Sequence, residues 1–223
     1  MSPTLIMKSW GEKMKTAARK NMDEYSRIMS DVIKDRILDL SNILSVKDNY
    51  TFLHSQRVLD LCYLIGFEMM LAKDQIEDLA LAAFFHDIGK IFIPDKILKN
   101  PGVLSEEDMN TMQTHSSIGA WILRASGGSR ESVKASACHH ERHDGKGYPY
   151  GLHGKNIPLI SRIISVADAY DAMTSKRCYT AALEKEEAIL RLEACGGSQF
   201  DPGIVEVFIE RIALSQADML EAV

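Results

Sequence analysis

Ionisable side chains occupy positions where the helical periodicity of this chain calls for core residues, and that constrains the fold more than any other feature. His54 continues the apolar stripe Val58, Leu61, Cys62 and Ile65. Asp87 continues Ile76, Ala80, Ala83 and Phe84, with His86 beside it, and Asp168 and Asp171 extend Ile160, Ile164 and Ala167. His115 lines up with Ile118 and Ile122, and His140 with Val133 and Ala137. A buried charge is too costly to keep unless it is hydrogen-bonded, paired or bound to a cation. One such residue would be an ordinary hydrogen-bonded core group. Imidazoles and carboxylates on several separate stripes instead suggest helices converging on a shared metal centre.

The rest of the pattern is helical too. Three- and four-residue apolar spacing predicts helices near 52–71, 74–87, 105–125, 129–141, 158–175, 184–195 and 202–217, with no stretch of strand period. Ser105 reads as an N-cap before the acidic turn Glu106, Glu107 and Asp108. Pro158 suits a first helical turn, as does Pro202 after Asp201. Glycine and proline clusters at Pro94 to Gly102 and Gly145 to Pro158 read as loops. The fold class expected is all-α. Residues 1–45 read as one long helical segment with a single apolar face (Met22, Tyr25, Met29, Ile33, Ile37, Leu40, Leu44), a linker or a dimerising or packing helix. Residues 46–223 then read as a second, helical domain.

Composition narrows the function classes. With 46% apolar and 26% charged residues, the chain reads as an ordinary globular protein. A net charge of −5 argues against a duplex-binding surface, while leaving room for a local basic pocket, so no nucleic-acid partner is expected. Cys62, Cys138, Cys178 and Cys195 are scattered without a CxxC pair, as for reduced thiols. No apolar run reaches membrane-spanning length and the start MSPTLIMKSW has no signal-peptide core, so a cytoplasmic protein off the membrane is expected.

His54, His86, Asp87, His115, His139, His140 and Asp168 include five of the seven histidines. Imidazole with carboxylate suits borderline divalent cations such as Mn, Fe, Co, Ni or Zn. Seven protein ligands exceed what one tetrahedral zinc takes, so two metals are the simpler account, with Asp87 the most plausible bridge. Such a pair generates a nucleophile from water and clamps an in-line phosphoryl displacement. The residue types therefore point to metal-assisted hydrolysis. The Gly145, Gly147, Gly151, Gly154 loop lacks the Lys-Ser/Thr that follows a phosphate-binding P-loop, and reads as a tight turn or lid.

The motifs YTFLHSQRV (Tyr50 to Val58), HDIGK (His86 to Lys90), HSSIG (His115 to Gly119), HHERHDGKGYP (His139 to Pro149), SRIISVADAYDAMTSKRCY (Ser161 to Tyr179) and GGSQFDP (Gly196 to Pro202) strongly resemble the HD-GYP family of the HD superfamily of metal-dependent phosphohydrolases. The resemblance runs from Asp48 to the C-terminus in the family's order. It implies an HD-domain helical bundle with an N-terminal helical extension. It also implies a cytoplasmic phosphodiesterase of bacterial second-messenger signalling that linearises cyclic di-GMP to pGpG and sometimes carries it on to GMP. By motif position, His54, His86, Asp87 and Asp168 would hold one divalent metal, and Asp87, His115, His139 and His140 the other, with Mn or Fe favoured. Asp87 and Lys90 would carry the catalysis, and Lys90, Tyr148 and Arg177 would contact substrate. Asp144 and Asp171 would fix loop and ligand geometry, with Arg142 structural and Arg57 behind His54.

Two positions depart from the family pattern. Tyr50 stands where some members have a glutamate for a third metal, which favours a two-metal site. Thr180 stands where many members have Arg or Lys, which bears on the choice among cyclic dinucleotides, cyclic GMP-AMP included. The partners the resemblance implies are a sensory or receiver protein, a diguanylate cyclase engaging the GYP loop, or a second copy of this chain pairing through the first helix. A non-catalytic cyclic dinucleotide receptor is the contrasting reading, against which the complete ligand set argues.

Overall fold

Helix α1 (Asn49–Glu68) carries Val58, Cys62 and Ile65 on one fully buried stripe. That stripe packs on α2 (Lys73–Phe85) and α6 (Leu159–Thr174), whose inward faces are Ile76, Leu79, Ala83 and Phe85, and Ile163, Ile164 and Ala167. Burying a large apolar side chain of this kind contributes roughly 1.5–3 kcal/mol relative to leaving it in water. Helix α5 (Arg130–Cys138) fills the space between α2 and α6, and α4 (Glu106–Ala125) closes over α5. Helices α7 (Lys185–Ala194) and α8 (Pro202–Leu220) cover the far side of α6, with Phe208 buried against Tyr170 at a ring separation of 4.9 Å. The short helix α3 (Asp95–Leu98) follows α2 in the chain and touches α4.

The computed structural model describes residues 49–175 and 182–220, and these belong to one unit, Leu40–Val223. The architecture is all-α: among the described residues there is no strand, only the isolated bridges Asp144–His153 and Gly196–Phe200. The expected N-terminal helical segment, and with it Arg177 and Thr180, lies outside the described residues.

Capping places the helix starts where the sequence puts them. The Ser105 hydroxyl accepts the Asp108 N–H at 3.1 Å, and Asp201 Oδ1 accepts the Gly203 N–H at 3.0 Å. Two stretches differ from expectation. Residues 129–141 are not one helix, because α5 stops at Cys138 and frees the next two residues from helical spacing. The chain after α2 winds into a 3-10 turn (Ile88–Phe92) and α3, where Pro94 to Gly102 had been expected to be loop. A four-residue helix shows too little of any period to be read from sequence.

Among the described residues no helix is long and apolar enough to cross a membrane. Cys62, Cys138 and Cys195 are free thiols.

Candidate metal centre

The end of α2 builds the middle of the site. The helix terminates at Phe85, and His86 and Asp87 enter a tight 3-10 turn in which the Asp87 carbonyl accepts the Lys90 N–H at 2.9 Å. The turn fits only because residue 89 is glycine: a Cβ there would lie 2.0 Å from the His115 carbonyl oxygen. That contact sets Asp87 against the face of α4 that carries His115, and α5 delivers His139 and His140 at its C-terminal end. Adjacent helical residues point about 100° apart, so stopping α5 before the pair allows both rings to face one place.

One ligand atom from each of Asp87, His115, His139 and His140 lies within 4.8 Å of the others, and the same holds for His54, His86 and Asp87. Asp87 belongs to both groups. Asp168 adjoins the second through His54 Nε2, 3.1 Å from its Oδ1.

The imidazoles are oriented from behind. His86, His115 and His139 donate Nδ1–H to the carbonyls of Ala83, Met112 and Ser136 at 2.7, 2.7 and 2.6 Å, which assigns their tautomers. His54 uses Nδ1 toward Asp171 Oδ2 at 2.6 Å, and Asp171 is held in turn by Arg57 at 2.6 and 3.0 Å. Each Nε2 is thereby presented to the centre, the arrangement that fixes ligating histidines. The bare Nε2 atoms of His115 and His139 then face each other at 3.4 Å, and His140 Nε2 lies 3.1 Å from His115 Nε2. Two lone pairs this close repel unless positive charge sits between them. His86 Nε2 and Asp87 Oδ1 are buried without a hydrogen bond, although His86 Nε2 and Asp87 Oδ2 approach to 3.3 Å. Orphaned buried acceptors of nitrogen and carboxylate type, converging on one point, fit divalent cations.

The electrostatics differ across the centre. Burial holds His115 and His139 below the ordinary histidine value and takes His140 down to about 4, with the neighbouring imidazoles adding to it. For His54 burial also works downward, but hydrogen bonds to Asp168 and Asp171 outweigh it and raise the ring to about 9. Burial would raise Asp87, yet Lys90 and His86 hold it well below the carboxylate range. Asp168 is lowered against its burial by His54, and Asp171 is brought to about 2 by His54 and Arg57.

The centre opens into a cavity of ≈650 Å³, a size typical of small-molecule sites. Lys90 Nζ sits on its wall, 2.6 Å from Asp87 Oδ2. Tyr148 covers His140 at a ring separation of 4.9 Å, and burial pushes its phenol up. Tyr50 lines the wall beside His54 with its ring nearly parallel, 6.4 Å away. Arg142 is forked onto Asp144 at 3.1 and 2.8 Å. Glu141 is the residue that sequence reasoning missed. Its buried carboxylate accepts the Tyr150 and Leu152 N–H groups at 2.7 and 2.9 Å and so pins the loop that carries Tyr148. Its only trace in the sequence is an acid directly after two candidate ligands.

A profile described as HD domain matches residues 39–204. The chain belongs to the HD-domain family. HD-domain phosphohydrolases bind divalent metals, and this HD domain carries a histidine and aspartate cluster that could hold them. It is 37% identical over 194 residues to a cyclic di-GMP phosphodiesterase of Thermotoga maritima, covering 86% of this chain and 52% of that protein. It is 36% identical to 3'3'-cGAMP-specific phosphodiesterase 1 of Vibrio cholerae, covering 76% and 40%. The crystal structure of a cyclic GMP-AMP specific phosphodiesterase of V. cholerae matches with a TM-score of 0.60 at 22% identity, covering 78% of this chain and 47% of that one. The HD domain thus spans about half the length of the curated relatives it matches.

Proposed function

We propose that this HD domain is a metal-dependent phosphodiesterase that hydrolyses cyclic di-GMP to pGpG, and on to GMP. The observation that carries the reading is the inward convergence of five imidazoles with Asp87 and Asp168 at the floor of a cavity holding Lys90 and Tyr148. His54, His86, Asp87 and Asp168 would hold one divalent cation and Asp87, His115, His139 and His140 the other. The mixed nitrogen and oxygen donors accept several first-row divalent cations, and among them the resemblance to the HD-GYP family favours Mn or Fe. Bound there, the cations supply positive charge at the phosphoryl oxygens and lower the pKa of a water toward neutrality.

The protein's own part is placement. Lys90 presents an ammonium to the phosphoryl oxygens, where developing charge needs it. Asp171 and the carbonyls of Ala83, Met112 and Ser136 hold the ring orientations, so none has to be found during turnover. Tyr148 closes the side of His140 and offers an aromatic face to a nucleobase. Arg177 would add a contact to phosphate or guanine.

Residues 46–223 would be the catalytic domain and 1–45 a linker or dimerising helix, through which a sensory or receiver partner or a second copy acts. A diguanylate cyclase is a further partner, through the GYP loop. Free thiols and a nucleotide second messenger favour the cytoplasm. Cyclic GMP-AMP is the second candidate substrate, because relatives named for that activity are 34–36% identical to this chain, against 36–37% for those named for cyclic di-GMP.

Metal-loaded protein incubated with cyclic di-GMP, with products resolved by chromatography, tests the reading. Appearance of pGpG is expected, and tight binding without turnover would make the protein a receptor instead. Competition with cyclic GMP-AMP decides the preference.

A further inference from the structure

Resting on that reading, we infer that Lys146 is a substrate-binding residue that holds the second phosphodiester of the cyclic dinucleotide, the one not being cleaved. A cyclic dinucleotide carries two phosphodiesters on opposite sides of its ring. When one lies at the histidine and aspartate floor, the other keeps its full charge elsewhere in the cavity. Among the described residues, the cations lining that cavity are Lys90, Arg142 and Lys146. Lys90 is 2.6 Å from Asp87 at the floor, and Arg142 is paired with Asp144 through its Nε and one terminal nitrogen, Nη2. Lys146 is exposed at the rim, and among the described residues no carboxylate lies within ion-pair distance of it.

The loop is built to present it. The Lys146 backbone N–H donates to Asp144 Oδ1 at 3.0 Å, and Asp144 is the same carboxylate that Arg142 grips. Gly145 turns the chain with φ +78, and Gly147 presses so closely on the preceding segment that a Cβ would lie 2.3 Å from the Arg142 nitrogen. Glu141 ties down Tyr150 and Leu152 beyond. Lys146 and Tyr148 therefore leave one fixed turn toward one cavity, a cation beside an aromatic face, as a nucleotide needs. An ammonium on a flexible stem suits a phosphate that must be held without being activated.

Lys146→Ala and Lys146→Arg variants, assayed with Mn, test this against two substrates. Cyclic di-GMP has two phosphodiesters, and bis(p-nitrophenyl) phosphate has one. Lys146→Ala should raise KM for cyclic di-GMP about 5- to 20-fold, with kcat held within about twofold, as loss of an exposed charged contact does. Its rate on bis(p-nitrophenyl) phosphate should not change, and Lys146→Arg should restore most of the KM. Equal losses on both substrates would mean only a disturbed loop, and an unchanged KM would remove the contact; either overturns the inference. If the wild type turns over neither compound, it is the proposed function that fails. Lys146 is then judged on cyclic di-GMP affinity alone, where a 5- to 20-fold fall is expected and no fall overturns it.

Discussion

The half of the centre around His54 and the half around His139 use the same side chain in opposite electrical states. Around His54 two aspartates supply negative charge, so the ring can carry a proton and form an internal ion pair. Around His139 the neighbours are His115 and His140, and burial keeps the rings neutral. Asp87 is shared by both halves, and its Oδ1 lacks a hydrogen bond. The acidic half can satisfy itself with protons, whereas the imidazole half has the bare Nε2 atoms of His115 and His139 facing each other at 3.4 Å. The difference shows where the folded protein is most in need of a cation, and that Asp87 links the two demands.

Removing the link should have the largest effect. Asp87→Ala is expected to lower hydrolysis by about a thousandfold or more, since the charge stabilisation at stake is several kcal/mol. Circular dichroism should show the helices retained, and a fully active variant would refute the shared role of Asp87.

A smaller effect should follow from loosening only one half. Asp171→Asn leaves all proposed ligands in place but weakens the grip on His54. Metal affinity or turnover should drop about 10- to 100-fold, the usual cost of losing a residue that orients a ligand. Removing Ser136 has no parallel effect to offer, because His139 is held by a backbone carbonyl that substitution cannot delete.

The smallest expected effect is in the pH dependence of chelator-stripped protein. His54 has a folded value of about 9 against an ordinary 6.5, so its contribution is complete below 6.5 and is lost as pH rises toward 9. His140, at about 4, acts in the other direction: its contribution is present above 6.5 and is lost as pH falls toward 4. Thermal stability should therefore fall on both sides of about pH 6.5, and His54→Gln should abolish only the alkaline loss. Unchanged alkaline behaviour in His54→Gln would show that the two halves do not differ as described.

Much of this arrangement is legible in the sequence, for a physical reason. His54, His115 and Asp168 lie on regular helices, where periodicity alone tells which face is buried, and His86, Asp87, His139 and His140 directly follow a helix end and continue its stripe; the expected helix 158–175 is observed as Leu159–Thr174. Arg57 was placed behind His54 from helical spacing, and the structure adds the link, Asp171. Glu141 was not legible because its partners are backbone N–H groups nine and eleven residues ahead in an irregular loop, and backbone donors leave no mark in a sequence. The end of α5 at Cys138 was missed because local propensity allows the helix to continue, while two adjacent imidazoles aimed at one point require it to stop.

The central claim is that Asp87 joins two cation sites, and metal content tests it most directly. Elemental analysis of anaerobically purified wild-type protein should find two first-row divalent ions per chain, with Asp87→Ala retaining fewer than one. A folded wild type that binds no metal, or an Asp87→Ala variant that keeps both ions, would contradict the account.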